Sequence, residues 1–489
     1  MSGDMELPIA TAKARRNILR GVARNAATPE HVLHRLMRTP WGAKQIAGRR
    51  ERMSVQLATA LMETGTSEVA AALGGNRHLP APIRWQLAAH TDAEVRKAAV
   101  RRFAWPPTKP GCEVPITLLT HLAADPDPHV RSEVAAHGDT PDDVRTRLAS
   151  DPVVEVRSAV ATWWTRPAAD VHRALLSDTE SSVRKAAASP WHPVPPADLH
   201  MALLADPATR SLVAAHVRLT AELAVELARD PDEDVRAAVA GNPHLPQALC
   251  DELATEHSAA VRFSLLVSRH TPAETRTRLY EEVLAGAEED DEWFVTDGLL
   301  STAWMGHYLR WLAQAAVEEK LTLVDSPLAF LRYGVASCAG SLPEEAAEHL
   351  LNDPDPYVQK IAALYANSPS AAHLERIVWE HGDHRKIHPG ILGRPDFPRQ
   401  AYQRFATSEN PQLRAAAAAA TLPTDILGKL AVDDAPEVRA AAASNPSLPL
   451  HCLPPLLADE QRNVAEEAGT SPRMPVEWME ALLSAEGIA

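Results

Sequence analysis

A phrase of about 26 residues returns along almost the whole chain, and a repeat that short constrains the fold more than any other feature. It reads DPDEDVRAAVAGNPHLP at 230, DPVVEVRSAVATWW at 151 and DDAPEVRAAAASNPSLP at 433. Anchored on Val235-Arg236, equivalent steps fall at Val69, Val95, Val130, Val156, Val183, Thr209, Val261, Leu331, Val358, Leu413, Val438 and Val464, mostly 25 to 27 residues apart. Leu19, Ala43 and Ile387 are weaker members of the same series. A unit this small cannot bury a core alone, so the 489 residues are expected to stack as one array instead of forming several independent globules.

Each unit reads as two short helices. Asp230 is expected to cap the first, Pro231 suits its opening turn, and Asp232 and Glu233 favour the positive end of the helix dipole. Val235, Ala238 and Val239 form a narrow apolar stripe, and Gly241, Asn242 and Pro243 predict a left-handed cap and a stop after about ten residues. Leu245, Leu249 and Leu253 then share one face of a second helix. In LPLHCLPPLLAD, Pro454 and Pro455 predict a 3₁₀ or irregular version of it. The expected fold is therefore an all-α solenoid of about 17 repeats.

Two stretches interrupt the rhythm. A Pro-rich insertion covers 103–115, and 282–330 holds a divergent helix pair behind an acidic start. They divide the expected organisation into a repeat array over 1–281, the divergent segment 282–330 and a second array over 331–489.

The copy LARDPDEDVRAAVAGNPHLPQALCDELA, with its Asp-Pro, Val-Arg, Asn-Pro and leucine positions recurring together, resembles the leucine-rich repeat variant family of bacteria. The resemblance covers most of the chain and implies a right-handed superhelix of alternating α and 3₁₀ helices, related to HEAT and armadillo arrays. The family's founding member carries an amino-terminal iron-sulfur module held by clustered cysteines. Here no cysteine precedes Cys112, so that cofactor is not carried over and none is expected.

Net charge is −15, yet residues 1–60 hold 11 Lys and Arg against 4 Asp and Glu, leaving about −22 for the remainder. An acidic body disfavours nucleic acid as a partner, because cationic contacts to phosphate supply most of that affinity. Arg exceeds Lys by 40 to 9, in keeping with a GC-rich bacterial genome. Without a signal-peptide core or a long apolar run, the chain reads as cytoplasmic. Cys112, Cys250, Cys338 and Cys452 lack metal-ligand spacing and read as buried small hydrophobes.

Three features are candidates for function. Arg96, Arg131, Arg157, Arg184, Arg210, Arg236 and Arg262 follow the anchor residue and predict a ladder along one side of the stack. It either pairs with neighbouring repeats, where Asp125, Asp151, Asp178 and Asp230 recur, or lines an anion-binding groove. Trp163, Trp164 and Trp191 replace the Asn-Pro turn in successive repeats and are the expected partner-binding residues, with Trp164 and Trp191 on one surface ridge. His381, Asp383, His384 and His388 have metal-like spacing, but Ile387-His388 falls on the Val-Arg step, so no metal site is expected; Asp290 and Asp291 read as a solvated loop.

No phosphate loop, nucleophile elbow or catalytic triad is evident. The expected function is a non-catalytic scaffold that binds an unidentified protein or peptide. The alternatives are a HEAT-like nucleic-acid-binding or base-processing protein and a HEAT-like lyase.

Overall fold

The structure is a computed structural model that describes residues 11–101, 113–287, 306, 308–382 and 390–488. Every regular element among them is an α or 3₁₀ helix, and consecutive helices pack as a repeat array. No described helix is long and apolar enough to cross a membrane.

In the repeat at 230–254 the first helix is Glu233–Ala240 and its cap is Asp232, which accepts the Asp234 N–H at 3.0 Å. Asp230 therefore lies outside the helix, contrary to the sequence expectation; its carboxylate instead closes a turn by accepting the Asp232 N–H at 2.9 Å. The two acids of the phrase divide the work. The same turn sets Asp125 before cap Asp127 and Asp353 before cap Asp355. Proline then takes the first helical position in Pro128–Ala136 and Pro356–Tyr365, where its missing N–H costs nothing.

The helix also ends differently from the expectation. Gly241 has φ −81°, an ordinary right-handed value. The stop comes from Asn242, whose Oδ1 accepts the His244 N–H and whose Nδ2 donates to the Ala214 and Val217 carbonyls of the preceding repeat. Asn76 and Asn445 make the same bonds backward, so each of these turns ties its repeat to the one before it.

Leu245, Leu249 and Leu253 are all buried. The LPLHCLPPLLAD segment forms a 3₁₀ turn, Leu450–Cys452, followed by Leu453–Leu457, whose first turn absorbs both prolines. Elements of five to nine residues cannot nucleate alone. Each buried leucine contributes about 1.5–3 kcal/mol, so stacking supplies the stability that propensity cannot. Cys250 and Cys452 are buried within these layers, Cys338 is half-buried, and Cys112 lies outside the described residues.

The helices gather into two compact units. Residues 165–398 make one, from Ala169–Leu176 through Ala371–His381. The other combines residues 1–164 with 399–489. Its first helices stack in the order Pro411–Ala419, Pro436–Ser444, Arg462–Gly469, Ala12–Arg24, Pro40–Arg49, Ser67–Gly74, Ala93–Ala99, Pro128–Ala136 and Val154–Trp163. The repeat at 12–37 thus sits on the repeat at 462–488 as its next neighbour.

That junction carries the asparagine bonds seen at Asn76, Asn242 and Asn445: Asn25 Nδ2 donates to the Ser471 and Gly469 carbonyls at 2.7 and 3.3 Å. Ion pairs add to it. Arg15 meets Glu486 at 2.7 Å, Arg24 meets Glu467 at 3.0 Å and Glu466 at 3.4 Å, and His31 lies 2.9 Å from Glu480. Part of the cationic surplus of residues 1–60 is therefore matched against an acidic last repeat. Most of the 103–115 insertion, part of 282–330 with Asp290 and Asp291, and Asp383, His384 and His388 lie outside the described residues.

Candidate interaction site

The Val-Arg step puts the anchor valine in the core and its arginine on the seam between repeats. Val130 is fully buried, while Arg131 donates to both oxygens of Asp151 in the next repeat, at 2.7 and 2.9 Å. A second nitrogen of the same guanidinium donates to the Asp125 and Pro126 carbonyls that precede its own helix. Arg96 bonds Asp125 in the same bidentate manner, and Arg184, Arg210 and Arg236 reach Asp206, Asp230 and Glu256. Arg157 donates to the Asp151 and Pro152 carbonyls, and Arg262 to those of Glu256 and His257.

The same rule extends beyond the seven expected arginines to Arg332–Asp353, Arg414–Asp433 and Arg439–Asp459, which follow the anchors Leu331, Leu413 and Val438. Bonding to Asp151 raises the Arg131 pKa above its ordinary value. Burial pushes the Asp151 carboxyl upward, but bonds from Arg131 and the Val153 N–H outweigh it and hold the group below the usual carboxylate range. Guanidinium groups held in this way have few donors left for an outside anion.

A second set of arginines was not foreseen. Arg84 and Arg145 are buried on second helices, eleven residues before the next repeats' anchors, Val95 and Val156, and donate to carbonyls at the end of a first helix: Ala99 of the following repeat for Arg84, His137 and Gly138 of its own repeat for Arg145. Arg276 does the same at Ser268, and burial lowers its pKa to about 10. Long side chains here satisfy orphan helix-end carbonyls, a need that hydrophobic periodicity cannot reveal.

Eleven residues before the anchor Val358 that position is Ala347, and a cavity of 340 Å³ opens beside it in the 165–398 unit. Ala347, Leu351 and Ala366 give it an apolar wall, and the exposed Glu344 and Glu348 add carboxylates. Ser370 Oγ lies 3.0 Å from His373 Nδ1, but the same oxygen caps Ala371–His381 by accepting the His373 N–H. Among the described residues no carboxylate is within hydrogen-bond reach of His373 to complete a nucleophilic triad.

The broken turns place their tryptophans differently. Trp163 ends its helix and is 52% exposed, whereas the next residue folds inward, so Trp164 is only 5% exposed with the Arg145 guanidinium 5.9 Å over its ring. Trp164 therefore belongs to the packing of its own unit and is corrected from the expected surface ridge. In the other unit Trp191 is 59% exposed, with Val194 and Met201 also exposed nearby in sequence. His192 is buried and stacked on His172 at 5.9 Å, which fixes the turn beneath the tryptophan. His381 lies 3.6 Å from Glu380, and burial lowers its pKa.

The family model "Leucine rich repeat variant" matches residues 436–461. No characterised protein matches the chain. The matched segment spans Pro436–Ser444, the Asn445 turn and Leu453–Leu457, and includes both Arg439 and its partner Asp459. Its arginine and asparagine bonds recur in the other repeats described above, and the chain therefore carries a leucine-rich repeat variant unit within an all-helical repeat array.

Proposed function

We propose that this protein is a non-catalytic scaffold that binds another protein through an exposed apolar turn of the 165–398 unit. The observation that carries the reading is the ordered exposure of Trp191 on a turn held by Pro190, Pro193 and the buried His192. A turn held before binding loses little backbone freedom on docking, and exposed aromatics on such turns often dominate interface energetics. Val194 and Met201 supply further apolar surface of the kind that marks recognition sites. Trp163 is a separate candidate on the other unit.

A nucleic-acid role would require a row of available cations, and the ladder arginines are held by acids and carbonyls of the stack. The test compares proteins captured from the native cell by wild type, by Trp191→Ala and by Trp191→Ala/Met201→Ser. The reading expects a partner that binds the purified wild type directly and binds the variants at least about tenfold more weakly, with unchanged circular dichroism. Equal affinity for all three removes this turn from the interface.

A further inference from the structure

In the unit formed by residues 1–164 and 399–489, all but one of the junctions between stacked first helices join repeats that follow one another in sequence. The exception is Arg462–Gly469 against Ala12–Arg24. It is built closely: a Cβ on Gly21 would stand 2.0 Å from the Glu466 carbonyl oxygen, and one on Gly469 would stand 2.3 Å from that of Ile18. It carries the Asn25 bonds of an ordinary junction together with the Arg15–Glu486 and Arg24–Glu467 ion pairs. What it lacks is the short covalent connection that the other junctions have.

We infer that these two faces are an exchangeable interaction surface whose second partner is another copy of this chain. Opening the junction breaks no repeat, because Ala12–Arg24 keeps Pro40–Arg49 as a neighbour and Arg462–Gly469 keeps Pro436–Ser444. The two released faces are complementary to each other in shape, backbone bonding and charge. The face of one copy therefore fits the opposite face of the next, a heterologous contact that closes as a reciprocal pair when two copies exchange. Within one chain closure is intramolecular and independent of protein concentration, whereas exchange needs two copies, so the closed monomer dominates in dilute solution.

Charge reversal separates the two forms. One variant is Arg15→Glu/Arg24→Glu; the other is Glu467→Arg/Glu486→Arg. Each alone sets like charges across its own junction, but mixed they restore opposite charges at both junctions of an exchanged pair. Each variant alone is expected to stay monomeric and to lose hydrogen-exchange protection by about 100-fold only in 12–37 and 462–488. Mixing them at equal concentration is expected to double the mass measured by light scattering from 53.0 kDa and to restore protection.

Gly21→Leu opens the same junction by steric force, and Gly74→Leu applies a like insult where a Cβ would meet Ala98 at 2.5 Å across a covalently connected junction. The inference is overturned if the charge variants mix without forming a dimer, or if protection is lost throughout the unit. It is equally overturned if protection at 12–37 survives both charge reversal and Gly21→Leu, or if Gly21→Leu and Gly74→Leu lose protection over the same residues.

Discussion

The Arg131–Asp151 rung offers the most direct test of how the repeats are held together. Asp151→Ala removes the acceptor of two Arg131 N–H groups, at 2.7 and 2.9 Å, and of the Val153 N–H at 2.9 Å. The two side chains are only 13% and 7% exposed, so water replaces little of what is lost. Breaking a buried ion pair from one side costs about 3–5 kcal/mol. Arg131 keeps its bonds to the Asp125 and Pro126 carbonyls, which places the expected loss near the lower end, about 3 kcal/mol, of which about 1 belongs to the turn at Val153. Arg131→Ala is expected to cost about 2–3 kcal/mol, and the double variant less than the sum, with a coupling of about 2 kcal/mol. Urea unfolding of the four proteins of the cycle measures this, with hydrogen exchange in 128–163 as a local readout. Lys44–Glu68, 58% and 78% exposed, is the control and is expected to give no measurable coupling. A coupling below about 0.5 kcal/mol at Arg131–Asp151 would refute the reasoning, because the ladder would then behave as a set of solvated surface pairs.

Two further outcomes follow from the same geometry. Trp164→Ala is expected to destabilise its unit by about 3–5 kcal/mol through the cavity it leaves, whereas Trp191→Ala changes the midpoint of thermal unfolding little; equal effects would contradict their burial. Asp125, Asp151, Asp206 and Asp433 have folded pKa values below the ordinary value near 4, so their contribution is complete above that pH and is lost as pH falls through the lower folded values. The thermal midpoint is expected to be level from neutral pH to about 5 and to drop below about 4, and a flat profile down to pH 3 would count against the ladder.

The sequence by itself determined the architecture of the repeat unit. Caps, stops and apolar stripes act over a few residues, so the recurrence of Asp-Pro, Val-Arg, Asn-Pro and leucine was enough to read two short helices that must stack. It also marked the ladder arginines, since their position follows from the anchor valine. Even locally it misassigned two roles. Asp230 and Asp232 are both good caps, and only the demand of Arg210 on Asp230 shows why the second one opens the helix. Gly241 looked like the stop, but Asn242 provides it by bonding to the preceding repeat.

What depends on contacts distant in sequence was decided by tertiary structure alone. Trp163 and Trp164 are adjacent and chemically alike, yet one is exposed and the other lies beneath Arg145, because the helix end turns successive side chains in opposite directions. The buried arginines at Arg84, Arg145 and Arg276 answer carbonyls left open at a helix end, and no local pattern announces that demand. The junction between 12–37 and 462–488 is the clearest case. Periodicity gives each repeat its shape and its two faces, but which face meets which is decided by tertiary packing, which sets the repeat at 12–37 on the repeat at 462–488 within one unit.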